Sequence, residues 1–521
     1  MLMLSRRMLV MGFFWLAGCT VGPDFKKPEP EQPQPRQWAD LPALRAESGG
    51  GVAVSEQEAP EEWWRQFGDS LFCDLIERAL RQNLSLREAA AVLAQSQAQQ
   101  SVAAADQFPM LNGSASYTRM QASRQGILNL TKSLAGGASS SQAANGAGLG
   151  ANANGTGVGA IGVPATGIQP FSLYQFGFDA SWEADFWGRV RREQEAAAAG
   201  AEAAEARRRA ARLSVIGDVA KNYLELRRLQ KALALTERRL ALAEERAGLL
   251  RLKARHGTVN ELELETAQAA AAALQAGLPP LRQQSAQAVN SLNLVCGGEP
   301  GALNAELSRP GVEWRLPERL DLGLPSQLAQ RRPDIQAAEA QLHQAVANIG
   351  LAAADFYPRF TLSGSTGLQA LRLQNLGDWS ALQYAMGPAI TLPIFQGGRL
   401  TGMWEFRQAE QQQAAIQYQN TVLAAWQEID NDLSGLRQAH SQRQSLIHAL
   451  QADQRLTALA RQRQAQGVSD YLPVLQAEQD ELQAELQVND SASLVAAQLT
   501  ALYKALGGGW KAVESNDAII R

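Results

Sequence analysis

The run from Arg331 to Gly367 changes its period in mid-course. Small and apolar residues at Ile335, Ala338, Leu342, Ala345, Ile349 and Ala352 recur at steps of three and four, the seam of one helix. The seam stops after Asp355, and Pro358 blocks further helix because its ring fixes φ and removes a donor. Strict alternation follows, with Phe360, Leu362, Gly364, Thr366 and Leu368 on one face and Thr361, Ser363, Ser365 and Gln369 on the other. Leu84 to Asp106 aligns to Pro333 to Asp355 without a gap, and both segments end Ala-Ala-Ala-Asp, two residues, then Pro. Behind Pro109, Leu111, Gly113, Ala115 and Tyr117 alternate with Asn112, Ser114, Ser116 and Thr118, so the chain is internally duplicated.

Each half carries a second alternating segment. Phe176, Phe178, Ala180, Trp182, Ala184 and Phe186 oppose Gln175, Gly177, Asp179, Ser181, Glu183 and Asp185. Aromatics against carboxylates suit lipid on one side and water on the other better than a soluble core. In the second half Leu382, Tyr384, Met386, Ile390, Leu392 and Ile394 form the matching strand, and Pro388 and Pro393 argue for a curved or edge path. Arg189 to Arg255 reads as one helix of about 100 Å, and Arg399 to Gln466 repeats it at an offset of about 210 residues. The seams run through Leu226, Leu229, Leu233, Thr236, Leu240, Ala243, Ala247 and Leu250, and through Val422, Trp426, Ile429, Leu433 and Leu436. Each tract stops at a glycine, Gly257 or Gly467. Returning helices are expected from Glu261 to about Val295, interrupted at Pro279 and Pro280, and from Tyr471 to about Leu506. Gly126 to Gly167, almost without large residues, reads as a long external loop with no phosphate-binding motif.

The expected organisation is a signal peptide at 1–18, a lipidated N-terminus and linker at 19–60, a first repeat at 61–298, a connector at 299–325, a second repeat at 326–508 and a tail at 509–521. Arg6 and Arg7, the apolar run Met8 to Ala17, and Leu16-Ala17-Gly18-Cys19 form a targeting segment too short to span a membrane. The last four residues look like the lipobox of bacterial lipoproteins, which implies cleavage before Cys19 and its acylation. Thr20 rather than Asp follows, so the same resemblance favours the outer membrane. No later window is apolar for the length of a membrane helix, which leaves only a β-barrel as a spanning structure. A net charge of -4 with both signs interspersed gives no footprint for nucleic acid. An exported chain meets an oxidising compartment, so a Cys73–Cys296 disulfide is one reading, but a single pair with no spacing signature fits two unpaired structural thiols better. His256, His343, His440 and His448 offer no i, i+4 ligand pair, no nucleophile–base arrangement can be assembled, and no cofactor or enzyme activity is expected.

Four strands cannot close a barrel, because open edges in lipid leave backbone groups unpaired. The expected fold is therefore mainly α with a membrane β-barrel. Three copies supply a 12-stranded β-barrel continuous with a 12-helix periplasmic α-barrel. A two-copy barrel of eight strands would be filled by its own side chains.

The lipobox, Trp63-Trp64 followed by Phe67, Gly217-Asp218-Val219-Ala220 with Tyr223, Arg331-Arg332-Pro333-Asp334-Ile335 with Ala338-Glu339, and Phe356-Tyr357-Pro358 together resemble the outer-membrane factor family (TolC/OprM-like). Within it the chain is most similar to NodT-type lipoproteins of RND efflux systems. That resemblance implies a homotrimeric, passive duct in outer-membrane lipid, exporting small molecules delivered by an inner-membrane RND pump and a periplasmic adaptor. A duct for type I protein secretion and a non-pore coiled-coil lipoprotein are the alternatives.

The resemblance also assigns positions. The turns at Gly257-Thr258 and Gly467-Val468 would be periplasmic tips that dock the adaptor, and the helix after the second would line a constriction at Asp470, Leu472 and Gln476. Gln476 stands where many relatives carry an aspartate, which puts a charge-controlled gate in doubt, although Asp480 lies nearby. Ordinary capping chemistry would explain the same glycines and aspartate. Asp179, Glu183 and Asp185 either bias a barrel lumen toward cations or simply wet it.

Overall fold

A computed structural model describes residues 20–27, 53–55, 57, 60–121, 170–309, 319–321 and 331–508. Two compact units emerge, and the chain passes between them repeatedly. The signal segment, Cys19, the Gly-rich loop and the tail from 509 lie outside the described residues.

Of the described residues, the first unit takes 20, 104–121, 170–190 and 354–397. Its sheet holds β1 (Met110–Met120), β2 (Phe171–Ala184), β3 (Arg359–Ala370) and β4 (Leu382–Thr391), in that order and all antiparallel. Register puts Phe178 beside Gly113 and Thr366, and Asp179 beside Asn112 and Ser365, so the expected two faces are continuous across the strands. The apolar face is uncovered: Phe176, Phe178, Tyr117, Tyr384 and Met386 are all exposed. Pro388 falls on β4, an edge strand, where its missing donor costs no ladder bond. β4 is shorter than the sequence indicated, ending at Thr391 just before Pro393.

The second unit takes the described residues within 21–103, 191–353 and 398–508. It is built from α1 (Ser70–Gln82), α2 (Leu84–Ala105), α3 (Arg189–Arg255), α4 (Glu261–Val295), α5 (Pro333–Ala354), α6 (Arg399–Ala465) and α7 (Leu472–Ala505). Ala53–Ser55 also pairs in parallel with Arg319–Asp321. The duplication is exact in length at its main elements, 22 residues in both α2 and α5 and 67 in both α3 and α6. No described helix is long and apolar enough to cross a membrane.

The largest core gathers Trp63, Phe67 and Phe72 around the middle of the long helices, with Ile216, Tyr223, Leu226, Leu292, Leu433 and Tyr503. Trp63 stacks on Tyr503 and Phe72 on Tyr223, at 5.4 and 5.2 Å between centroids. Asp69, nearly fully buried, caps α1 by accepting from the amides of Leu71 and Phe72, and also accepts the Tyr223 hydroxyl at 2.5 Å. Arg227 donates to the same hydroxyl at 3.0 Å. Cys73 and Cys296 are free, and burial pushes the Cys296 thiol up to about 11.

Two differences from expectation are informative. α4 runs through Pro279 and Pro280 without a break, both prolines being exposed, so the carbonyls they leave unbonded face water. The duplicated helices also differ in burial. In α5 the seam Ile335, Ala338, Leu342, Ala345, Ile349 and Ala352 is buried, whereas in α2 only Ala103 is. Leu84, Val92 and Val102 of α2 are exposed.

Candidate functional site

The two tip turns have one geometry. α3 ends with Gly257 at φ +69°, its amide donating to Ala254 and that of Thr258 to Lys253, both at 3.0 Å. α6 ends with Gly467 at φ +69°, its amide donating to Gln464 at 2.9 Å and that of Val468 to Arg463 at 3.0 Å. The paired 5→2 and 6→1 bonds close the last helical carbonyls, and the left-handed residue they require is glycine in both turns. Asn260 caps α4 by accepting from the Glu263 amide at 2.9 Å. Gly257, Thr258, Gly467 and Val468 are exposed, Val468 to 65%.

Asp470, Leu472 and Gln476, at the start of α7, all engage the first long helix. Lys253 bonds the Asp470 carboxylate, which also accepts the Tyr471 amide at 2.7 Å. Leu472 packs with Val259 and Leu264 against buried Ala247, Leu250 and Ala267. Arg246 donates to Gln476, which in turn donates to Asp480 at 2.9 Å. Further along the same seam Lys231 faces Glu485 at 3.7 Å and Arg228 faces Asp490 at 2.9 Å. This ladder of basic residues on α3 against acids and amides on α7 escaped the sequence reading. Its one local signal is the seven-residue spacing of Arg239, Arg246 and Lys253.

On the other side of α7, Arg461 of α6 pairs with Glu478 at 2.7 Å and Thr457 donates to the Ala477 carbonyl. On the other side of α3, Arg282 of α4 pairs with Glu237 at 3.0 Å. The helices near the tips therefore lie in the order α4, α3, α7, α6, and the outer two keep exposed apolar residues, Leu262 on α4 and Leu456 and Leu459 on α6.

In the sheet unit, Asp179 accepts from Asn112 at 3.2 Å on the polar face and remains exposed. Glu183 is held in a two-pronged pair by Arg189, at 2.8 and 3.2 Å, so its charge is matched. Asp185 lies beyond the end of β2.

A sheet with, among the described residues, one bare apolar face and two open edges, together with hairpins of very long helices ending in matched glycine turns, defines a class of protein: a channel subunit of the outer membrane. The chain belongs to the outer membrane efflux protein family, whose model matches residues 75–298 and 324–508, one block in each half of the duplication. It is 29% identical to the probable efflux pump outer membrane protein TtgC of Pseudomonas putida over 96% of this chain and 95% of that one. Outer membrane protein OprJ of Pseudomonas aeruginosa is 28% identical, over 95% of this chain and 94% of its own length. Among solved structures, the outer-membrane channel OprN superposes with TM-score 0.78 at 28% identity, covering 94% of this chain and all of that one. The open state of the MtrE outer membrane channel of Neisseria gonorrhoeae gives 0.74 at 28% identity, covering 94% and 98%.

Proposed function

We propose that the protein is the passive, trimeric outer-membrane duct of a tripartite efflux system, receiving small molecules from an inner-membrane RND pump through a periplasmic adaptor. One observation carries this reading: among the described residues both edges of the four-stranded sheet, β1 and β4, are unpaired, and its aromatic face is uncovered. In hydrocarbon such edges cost several kcal/mol per unpaired group, so further copies must complete the wall. The helical layer is open at α4 and α6, and α2 leaves bare the seam that its counterpart α5 buries, so both units call for the same completion. Three copies give twelve strands, a closed barrel wide enough for a passage.

The exposed Gly257-Thr258 and Gly467-Val468 turns are the surfaces offered to the adaptor, and Asp470, Leu472 and Gln476 form the constriction. Acylation of Cys19 anchors the subunit. We assign the chain no catalytic step; the pump supplies energy and chooses cargo. The efflux pumps named among its relatives favour this over a secretion duct.

The purified protein should have the mass of three subunits and show low conductance in planar bilayers. Leu472→Ala should raise that conductance several-fold by removing the side chain that packs α7 onto the first hairpin. A monomeric mass would overturn the duct; a trimer whose conductance ignores Leu472→Ala would overturn the gate assignment alone.

A further inference from the structure

The segment directly after Cys19 is expected from its sequence to be part of an extended linker, yet it is seated. Thr20 packs on Gly188, where an added Cβ would come within 2.7 Å of the threonine methyl. From Val21 onward the chain lies in a seam between α3 and α5. Gly22 adopts φ +92° and approaches Gly350 so closely that a Cβ on Gly22 would stand 2.4 Å from the Gly350 Cα. A Cβ on Gly350 would meet the Arg192 side chain at 2.8 to 2.9 Å. Gly350 thus makes room both for the backbone at Gly22 and for the buried Arg192, whose side chain is only 5% exposed.

Arg192 spends its donors on this segment. It donates to the Asp24 carboxylate at 2.6 Å and to the carbonyls of Val21 and Gly22 at 3.4 and 3.5 Å, with Glu195 completing the fork at 2.7 Å. Phe25 stacks on His343 at 4.3 Å and joins the cluster of Ile335, Leu342 and Val346, while His343 bonds Glu195 at 2.9 Å. Lys27 pairs with Glu339 at 2.9 Å. A buried arginine is tolerated only with its donors matched, and here the segment supplies three of the acceptors.

We propose that the α3–α5 seam is a binding site for residues 21–27 of this same chain, so that the acyl anchor at Cys19 is fixed to the helical body by docked backbone instead of hanging on a free tether. The docking stands independently of the efflux reading; only the fixing of the anchor rests on acylation at Cys19.

Limited proteolysis of the mature full-length protein in detergent tests this, because a protease must lift several residues off the body to cut between them. Trypsin should cleave after Lys26 at least about tenfold more slowly than in an unstructured peptide of the same sequence, and Arg192→Ala and Asp24→Asn should each restore most of that susceptibility, as expected for loss of a charged hydrogen bond. Phe25→Ala gives a second route that leaves α3 untouched. Resistance of α6 and α7 to the same protease serves as the fold control. Cys19→Ser should leave the resistance intact, because side chains and not lipid do the holding. Wild-type cleavage at the unstructured rate, indifference to both Asp24→Asn and Phe25→Ala, or loss of resistance in Cys19→Ser would each overturn the proposal.

Discussion

Tyr223, Asp69 and Arg227 show how one residue secures the helical body. Burial and the Asp69 hydrogen bond both raise the Tyr223 hydroxyl far above its ordinary range, so it stays a donor at any working pH. Tyr223→Phe keeps the stack on Phe72 but strands a buried carboxylate, and should cost about 1–3 kcal/mol, read as a lower Tm by circular dichroism. Asp432 is the opposite case. Burial, then the neighbouring Glu428, push it up to about 6 against the pull of Arg332. One of its oxygens is buried without a hydrogen bond. A raised carboxyl favours the folded state while protonated, a contribution fully present at about pH 4 and lost as pH rises through 6. Asp432→Asn should therefore raise Tm at pH 7, with the gain vanishing toward pH 4. A gain independent of pH would remove the assignment. Neither the hydroxyl's partner nor the carboxyl's burial is legible locally, because Asp69 and Tyr223 are 154 positions apart.

Elements tell a different story, since a helix or strand is specified mainly by its own residues. Periodicity and breakers placed all four sheet strands and both 67-residue helices, as the alternation around Phe178 and the seam at Leu226 illustrate. The pairing of elements is where the halves part company. The ladder residues Arg228, Lys231, Arg246 and Lys253 of α3 correspond, about 210 positions on, to Gln438, Ser441, Leu456 and Arg463 of α6. Asp470, Gln476, Asp480 and Glu485 correspond to Asn260, Thr266, Ala270 and Gln275 on and beside α4. The α3–α7 seam is thus charged along its length, whereas the corresponding positions on α6 and α4 keep Arg463 as their one charge. Lys253→Glu would set two acids face to face at the tip and should raise conductance several-fold, while costing only about 0.2–1 kcal/mol of stability because the pair is half exposed. Adding Asp470→Lys to that variant should bring conductance back down.

At the scale of the whole molecule, the proposed function belongs to an assembly. A single chain carries exposed aromatics on its sheet, bare leucines on α4 and α6, and an unburied α2, surfaces that water does not stabilise and neighbours do. Anchoring is a separate matter. On the proposed assembly, Cys19→Ser should abolish palmitate labelling yet leave the trimer mass unchanged, because open strand edges and bare helix faces would drive association without lipid. Labelling that persists in that variant would remove the lipoprotein assignment.

Sequence alone determined what depends on neighbours a few residues away: where the period changes from helix to strand at Asp355 and Pro358, where glycine ends a long helix, and that the chain is doubled. Only the tertiary structure decided which faces meet. The Arg192 seat for residues 21–27, the α3–α7 ladder, the packing of Leu472 on the first hairpin and the passage of α4 through two prolines all join positions far apart or depend on which side meets water. Local spacing encodes direction along one element, whereas a contact between elements exists only once packing has brought both to the same place.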